Sequence, residues 1–113
     1  MSSARAVRLW KLYGLTEQNY RDLLALQGGA CAICRCVPPE GKNLAVDHAH
    51  ALVPRDKKKR TPEAMRATVR GLLCWLCNYR RIGRGATPAI MRAAADYLEC
   101  AREVTQAWLS TVQ

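Results

Sequence analysis

Two Cys-x-x-Cys pairs, Cys31–Cys34 and Cys74–Cys77, are separated by the 39 residues from 35 to 73 in a chain of 113. Each pair is a chelate of knuckle size. Zinc takes four soft thiolates in a tetrahedron, and two such segments supply them. The chain is thereby expected to close around one metal point. The enclosed segment is longer than in a simple zinc ribbon, so it must carry structure of its own. Four thiolates leave zinc no open position, which makes the ion structural and sends any chemistry to other residues. Cys36 leaves a Cys34-Arg-Cys36 chelate open as well; that spacing is poorer for a knuckle, so Cys31 and Cys34 are expected as the ligands. Buried thiols or two redox pairs are the alternatives. Cys100 is expected as a small core residue on the last helix.

Compartment bears on that choice. The first fifteen residues, MSSARAVRLWKLYGL, hold no apolar run long enough for a signal peptide or a membrane span, and neither does the rest of the chain. A reducing cytoplasm is expected, where paired cysteines point to metal rather than to disulfides. The net charge of +9 points to a polyanion partner, usually nucleic acid. Charge does not separate DNA from RNA, and an inert basic surface is the plainer alternative.

Periodicity gives an α+β, mostly helical chain in three parts: N-terminal helices over 1–28, a zinc-bound core over 29–86 and a C-terminal helix over 87–113. Residues 4–13 form a helix that Gly14 stops. Thr16 caps a second over 17–27, with Tyr20, Leu23 and Leu24 at helical spacing and Gly28–Gly29 ending it. Leu44–Val46 is a short strand running into Asp47 and His48. Residues 55–60 form an exposed loop, and Pro62–Ala67 one helical turn or an irregular stretch. Thr68–Arg70 is a second strand closed by Gly71, and Leu72–Ile82 a helix. Thr87-Pro88 restarts the chain as an N-cap with proline at the first helical position. Ile90, Met91, Ala94, Tyr97, Leu98, Ala101, Val104 and Trp108 then share one broad face. The three tryptophans are expected in the core or between helices, with no aromatic ladder for single-strand binding.

Both histidines of the chain lie in Asp47-His48-Ala49-His50, and Asn78 directly follows the last cysteine of the second pair. A carboxylate and an amide carbonyl are hard oxygen donors that suit Mg²⁺. Such an ion stabilises a leaving 3′-oxygen and the charge of a phosphorane. A neutral imidazole can take a proton from an attacking water near pH 7. The set suits phosphodiester hydrolysis; a structural hairpin with incidental histidines is the alternative.

Three strings carry a resemblance: Thr16-Glu-x-x-Tyr20-x-x-Leu-Leu-x-x-Gln27-x-Gly-x-Cys31-Ala-Ile-Cys34, Val46-Asp-His-x-His50, and Val69-Arg-Gly-Leu-Leu-Cys74-x-x-Cys-Asn78. Together they resemble the phage recombination endonuclease VII family of His-Me finger, or HNH, nucleases, over roughly residues 16 to 98. The resemblance implies a ββα-metal core made of the Asp47–His50 strand, the Thr68–Arg70 strand and the Leu72–Ile82 helix. It implies Asp47 and Asn78 as ligands of a catalytic Mg²⁺ or Mn²⁺, His48 as general base and His50 as a contact to the scissile phosphate. It implies Cys31, Cys34, Cys74 and Cys77 as ligands of structural Zn²⁺. Expected partners are DNA, double-stranded or branched, a second copy of the chain and a phage protein, inside an infected or bacterial host cell. Two departures bear on junction specificity and leave the hydrolytic chemistry intact. One helix stands where the family has a long dimer-forming C-terminal part, and basic Asn78-Tyr-Arg-Arg81 stands where a further acidic helper is expected.

Arg55, Lys57, Lys58, Lys59 and Arg60 are expected to bind phosphate beside the site, although a charge run is more commonly a solvated loop. Arg70, Arg80, Arg81 and Arg84 flank the proposed site helix and are assigned to DNA as well, whereas Arg66, Arg92 and Arg102 read as ordinary surface charges. The reading is a metal-dependent DNA endonuclease. The rivals are a non-catalytic zinc module that binds DNA or protein, and an RNA-directed nuclease.

Overall fold

Ser3 starts the first helix, α1 (Ala4–Tyr13), by accepting the Ala6 N–H at 3.0 Å. The computed structural model describes residues 3–112. Gly14 ends α1 in the left-handed conformation, φ 63°. It is also where α1 meets α3 (Pro62–Arg66): a Cβ at Gly14 would overlap the Pro62 carbonyl, so only glycine allows both the turn and the approach. Arg66 reinforces that junction, donating to the Gly14 carbonyl at 2.8 Å with its guanidinium over the Trp10 ring. It is exposed, as a surface charge is expected to be, and also holds this junction together. Thr16 and Asn19 cap α2 (Glu17–Leu26) reciprocally, each side chain bonding the other's backbone N–H at 3.0 Å.

The strands β1 (Ala45–His48) and β2 (Val69–Leu73) pair antiparallel. Ala45, Val46 and Asp47 face Leu73, Leu72 and Gly71, but His48 faces Val69. Arg70 is therefore an extra residue, a bulge in β2. The outer edge of β2 is closed by a side chain. Gln27 accepts the Leu72 N–H at 2.8 Å and donates to the carbonyls of Leu72 and Ala30 at 2.9 Å each. The core lies between the helices and this sheet, with Leu9, Leu15, Tyr20, Leu44, Val46, Met65, Leu72 and Leu73 buried. The Tyr20 hydroxyl donates to the Leu44 carbonyl at 2.7 Å, which seats the entry to β1 on α2.

The helix expected over Leu72–Ile82 begins later. Leu72 and Leu73 belong to β2, and a π-helix spans Cys77–Ile82. A short apolar run such as Gly71-Leu-Leu carries no period of its own, so pairing with β1 decides its state. Gly71 likewise does not close the strand; it pairs with Asp47 inside it.

Contacts divide the chain into two units, Met1–Arg81 and Ile82–Gln113. The second contains α4 (Pro88–Leu109), capped by the Thr87 hydroxyl with Pro88 in the first turn, as the sequence leads one to expect. No α4 residue is buried. Ile90, Ala94, Tyr97, Ala101, Val104 and Trp108 recur at alternating steps of four and three, a heptad seam on an unburied helix. Cys100 is exposed, not the core residue expected, and Trp10, Trp75 and Trp108 are exposed as well. Helical spacing identified an apolar face without identifying anything to cover it. Among the described residues no helix is long and apolar enough to cross a membrane.

Candidate active site and metal centre

The four expected cysteines come together. One Sγ each from Cys31, Cys34, Cys74 and Cys77 lies within 4.8 Å of the others. The Cys34 and Cys74 sulfurs are 3.7 Å apart. A tetrahedron with metal–sulfur bonds of about 2.3 Å has edges of about 3.8 Å, so the cluster has the size zinc requires. Cys31 and Cys77 are wholly buried and Cys36 is exposed outside the set. The knuckle is braced from within: the Cys77 N–H points at the Cys74 sulfur, 3.4 Å away, and Arg81 donates to the Cys77 sulfur at 3.2 Å. At Cys31 burial pushes the thiol up, but backbone N–H groups at Cys74, Cys34 and Ile33 outweigh it and bring it down to about 6. Burial pushes Cys77 up to about 11. Several thiols in one small volume share their protons as a set, and a thiophilic dication relieves the crowding.

The hairpin presents Asp47, His48 and His50 in sequence at the end of β1. Asp47 is 8% exposed, and Arg70 holds both of its oxygens, Nε to Oδ2 at 2.8 Å and Nη2 to Oδ1 at 2.9 Å. The bulge explains the pairing. In a regular ladder Arg70 would stand opposite His48 and share its face; skipped by β1, it turns to Asp47 instead. The same carboxylate raises Arg70 above its ordinary pKa, by hydrogen bonding first and charge second. The His48 ring is 4.3 Å from that of His50 and 5.6 Å from that of Tyr13, which α1 delivers. Asn78 is half-buried in the π-helix next to Cys77, its N–H on the Cys74 carbonyl at 2.9 Å, so the thiol cluster sets its position. The π-helical winding of Cys77–Ile82 is a departure from α-helical hydrogen bonding of a kind frequent at functional sites.

The basic run is an exposed segment, as expected. Lys57–Lys59 form a 3-10 turn capped by Asp56, and Arg60 is pinned to the Pro54 carbonyl at 2.8 Å. Lys57 and Arg60 line a cavity of about 590 Å³ together with Trp10, Lys11, Leu12 and Pro62. Lys11 thus joins the basic face, which its place in a helix far along the sequence did not suggest. Arg55 and Arg84 are exposed, Arg80 lies over Trp75, and Arg70 and Arg81 are engaged with Asp47 and Cys77. Sequence reasoning missed the aromatic surroundings of the site. Tyr13 touches His48, and Trp75 and Tyr79 stand 5.5 Å apart, one helical turn from each other. The i, i+4 spacing of those two rings on a predicted helix was the available signal.

Comparison with known proteins gives a consistent result. A family model described as recombination endonuclease VII matches residues 6–100. The Gene 59 protein of Mycobacterium phage D29 is 33% identical over 99 residues, covering 86% of this chain and 51% of the relative. The Gene 59 protein of Mycobacterium phage L5 is 33% identical over 82 residues, 73% of this chain and 42% of the relative. The chain spans about half the length of the curated relatives it matches, or less. No solved structure matches it. The match runs from within α1, through both Cys-x-x-Cys pairs and the hairpin, to α4: this chain belongs to the recombination endonuclease VII family.

Proposed function

We propose that the chain is a metal-dependent DNA endonuclease, with a ββα-metal core formed by β1, β2 and the helical segment carrying Asn78. The observation that carries this is the buried Asp47 followed directly by two imidazoles in ring contact, on a hairpin whose far end runs into the thiol cluster. A structural hairpin needs no such set. Zinc holds the two cysteine pairs and takes no part in the reaction.

The donors suit a hard divalent ion. The two Arg70 bonds use two of about four lone-pair positions on the Asp47 carboxylate, and Asn78 brings a neutral oxygen on a braced helix. Asp47 and Asn78 would hold Mg²⁺ or Mn²⁺, which when bound supplies charge stabilisation at the phosphorane and the leaving oxygen. His48 takes the proton from the water that attacks phosphorus. Tyr13 packs against its ring and limits its rotation. His50 donates to a non-bridging phosphate oxygen, and the products are a 5′-phosphate and a 3′-hydroxyl. Arg55, Lys57, Lys58, Lys59, Arg60, Arg80 and Arg84 attract the backbone, and Arg70 reaches it once released from Asp47. The substrate is double-stranded or branched DNA. The heptad seam of α4 suits a second copy of the chain, a phage protein is a further partner, and the compartment is the cytoplasm of an infected or bacterial host cell.

The test is incubation with supercoiled, linear and four-way-junction DNA, with and without Mg²⁺ or Mn²⁺. Metal-dependent cleavage is expected. His48→Ala should lower it by roughly 10²–10⁴, the usual worth of a positioned base, with zinc content and DNA affinity retained. Folded, zinc-loaded parent that binds DNA and never cuts it would make the chain a binding module; cleavage confined to RNA would reassign the substrate.

A further inference from the structure

The catalytic reading leaves two large exposed rings unexplained. Trp75 is 59% exposed and Tyr79 64%, yet each belongs to the segment that begins with the zinc ligand Cys74 and carries Asn78. Their planes lie 34° apart, and the Arg80 guanidinium sits 5.5 Å over the Trp75 ring, so the pair is held in place and carries a cation. Zinc held by the thiol cluster would fix Cys74 and Cys77 on either side of Trp75 and give the indole a rigid base. The rings also lead toward the hydrolytic residues. Tyr79 directly follows Asn78 in the chain, and it interacts electrostatically with Tyr13, adding to the rise that burial gives the Tyr13 pKa. Tyr13 in turn contacts His48, which contacts His50.

We propose that Trp75 and Tyr79, with Arg80, form a stacking subsite for an unpaired nucleobase of the DNA strand whose scissile phosphate lies at His48. Every nucleobase has a π-face, so a pair of exposed aromatic rings beside a cation takes bases regardless of sequence, provided they are not already stacked in a duplex. The net charge of +9 supplies the attraction for the backbone, and Arg80 adds a charge at the ring itself. A duplex offers these rings only its paired, stacked interior, which they cannot enter without unpairing it. The subsite therefore selects DNA that carries unpaired nucleotides next to the cleaved bond. The assignment of the strand to His48 rests on the nuclease reading; the stacking itself does not.

The experiment measures equilibrium binding by the zinc-loaded full chain, without added divalent ion, to a duplex, to the same duplex with a single-stranded overhang, and to an oligo(dT) strand. Trp75→Ala should weaken binding to the overhang and to oligo(dT) by about 5- to 150-fold, the range for one base–aromatic stack, and change duplex binding by less than about twofold. Trp75→Phe should keep most of the single-strand affinity while losing the share of tryptophan quenching on binding that Trp75 contributes. Zinc content and thermal unfolding report folding; should Trp75→Ala not fold, Tyr79→Ala carries the same selective expectation. Equal losses on duplex and single strand, or single-strand quenching undiminished in Trp75→Phe, overturn the subsite. Metal-dependent nicking by the parent is measured alongside: nicking with unselective losses removes the subsite and keeps the nuclease, whereas selective losses without nicking keep the subsite and remove the nuclease.

Discussion

Arg70→Ala should make the DNA-free protein bind Mn²⁺ more tightly. In the structure the guanidinium bonds both oxygens of Asp47, at 2.8 and 2.9 Å. A bidentate pair of this kind is among the stronger side-chain interactions, and hydrogen bonds to charged groups contribute about 1.5–3 kcal/mol. The Asp47 side chain is nearly enclosed, but the Arg70 side chain is 45% exposed, and water screens its half of the pair. The discounted figure is about 1–2 kcal/mol. The free lone-pair positions of Asp47 admit a cation, but only against the charge and the hold of the guanidinium, so removing Arg70 should tighten binding by up to about 5- to 30-fold. Arg70→Lys should fall between parent and Ala, because an ammonium cannot hold both oxygens in one plane. Titration of zinc-loaded protein by calorimetry or by the Mn²⁺ spin signal reads the effect. The same pair implies linkage: a DNA phosphate that draws Arg70 away must tighten metal binding, and metal must tighten DNA by an equal factor. Mn²⁺ affinity that falls in Arg70→Ala would refute this reasoning and make Arg70 the residue that orients Asp47 for the ion.

Three other outcomes are expected. Structural zinc contributes on the order of 10–16 kcal/mol in small finger peptides, as much as a small domain's whole stability, so Cys74→Ser should be unfolded or insoluble; metal analysis should give one zinc per chain, and a metal-free preparation that still melts cooperatively would contradict the assignment. Gln27→Ala should cost about 2–4 kcal/mol, since three hydrogen bonds go and the Leu72 N–H is left unpaired in a residue with no exposure; that corresponds to a Tm lower by roughly 10–30 °C, and a shift of a degree or two would show that water replaces the amide. Replacing Lys57, Lys58 and Lys59 together by Ala should weaken binding to all DNA sequences alike and flatten its salt dependence by roughly one unit per lost phosphate contact; an unchanged slope would leave the run as solvated loop.

Local rules made much of this legible in the sequence. Ser, Thr and Gly at helix ends act on their own backbone, so Gly14, Thr16 and Thr87 could be read directly. The thiol cluster was legible because metal chemistry dictates the ligand type and the spacing. The engagement of Asp47 by Arg70 was not, because it depends on which residue of β2 the register skips, and no local pattern in Val69-Arg-Gly-Leu-Leu marks that residue. Gln27 was hidden for a similar reason: as a helix-end glutamine it is unremarkable, and two of its three bonds are to a strand 45 residues away. The tryptophans were misjudged because apolar character predicts burial only when another surface is there to meet it.

The skipped residue also divides the chain by its tolerance of length change. On the Gly71 side of Arg70, β2 is in phase with the cysteines; on the Val69 side it is in phase with Thr68, which is 1% exposed, and with α3 beyond it. Deleting Arg70 itself would leave both halves on their present partners in β1, but losing any other residue of β2 would slide one half past β1 and turn its inward side chains outward, because alternation along a strand has a period of two. Stretches 37–43 and 55–60 carry no strand register and are almost entirely exposed, so residues gained or lost there are absorbed locally. Insertions and deletions in close relatives should therefore gather in those two stretches, with the residue count from Thr68 to Asn78 held constant, and a tag or reporter domain meant to leave the hairpin undisturbed belongs at 40–42.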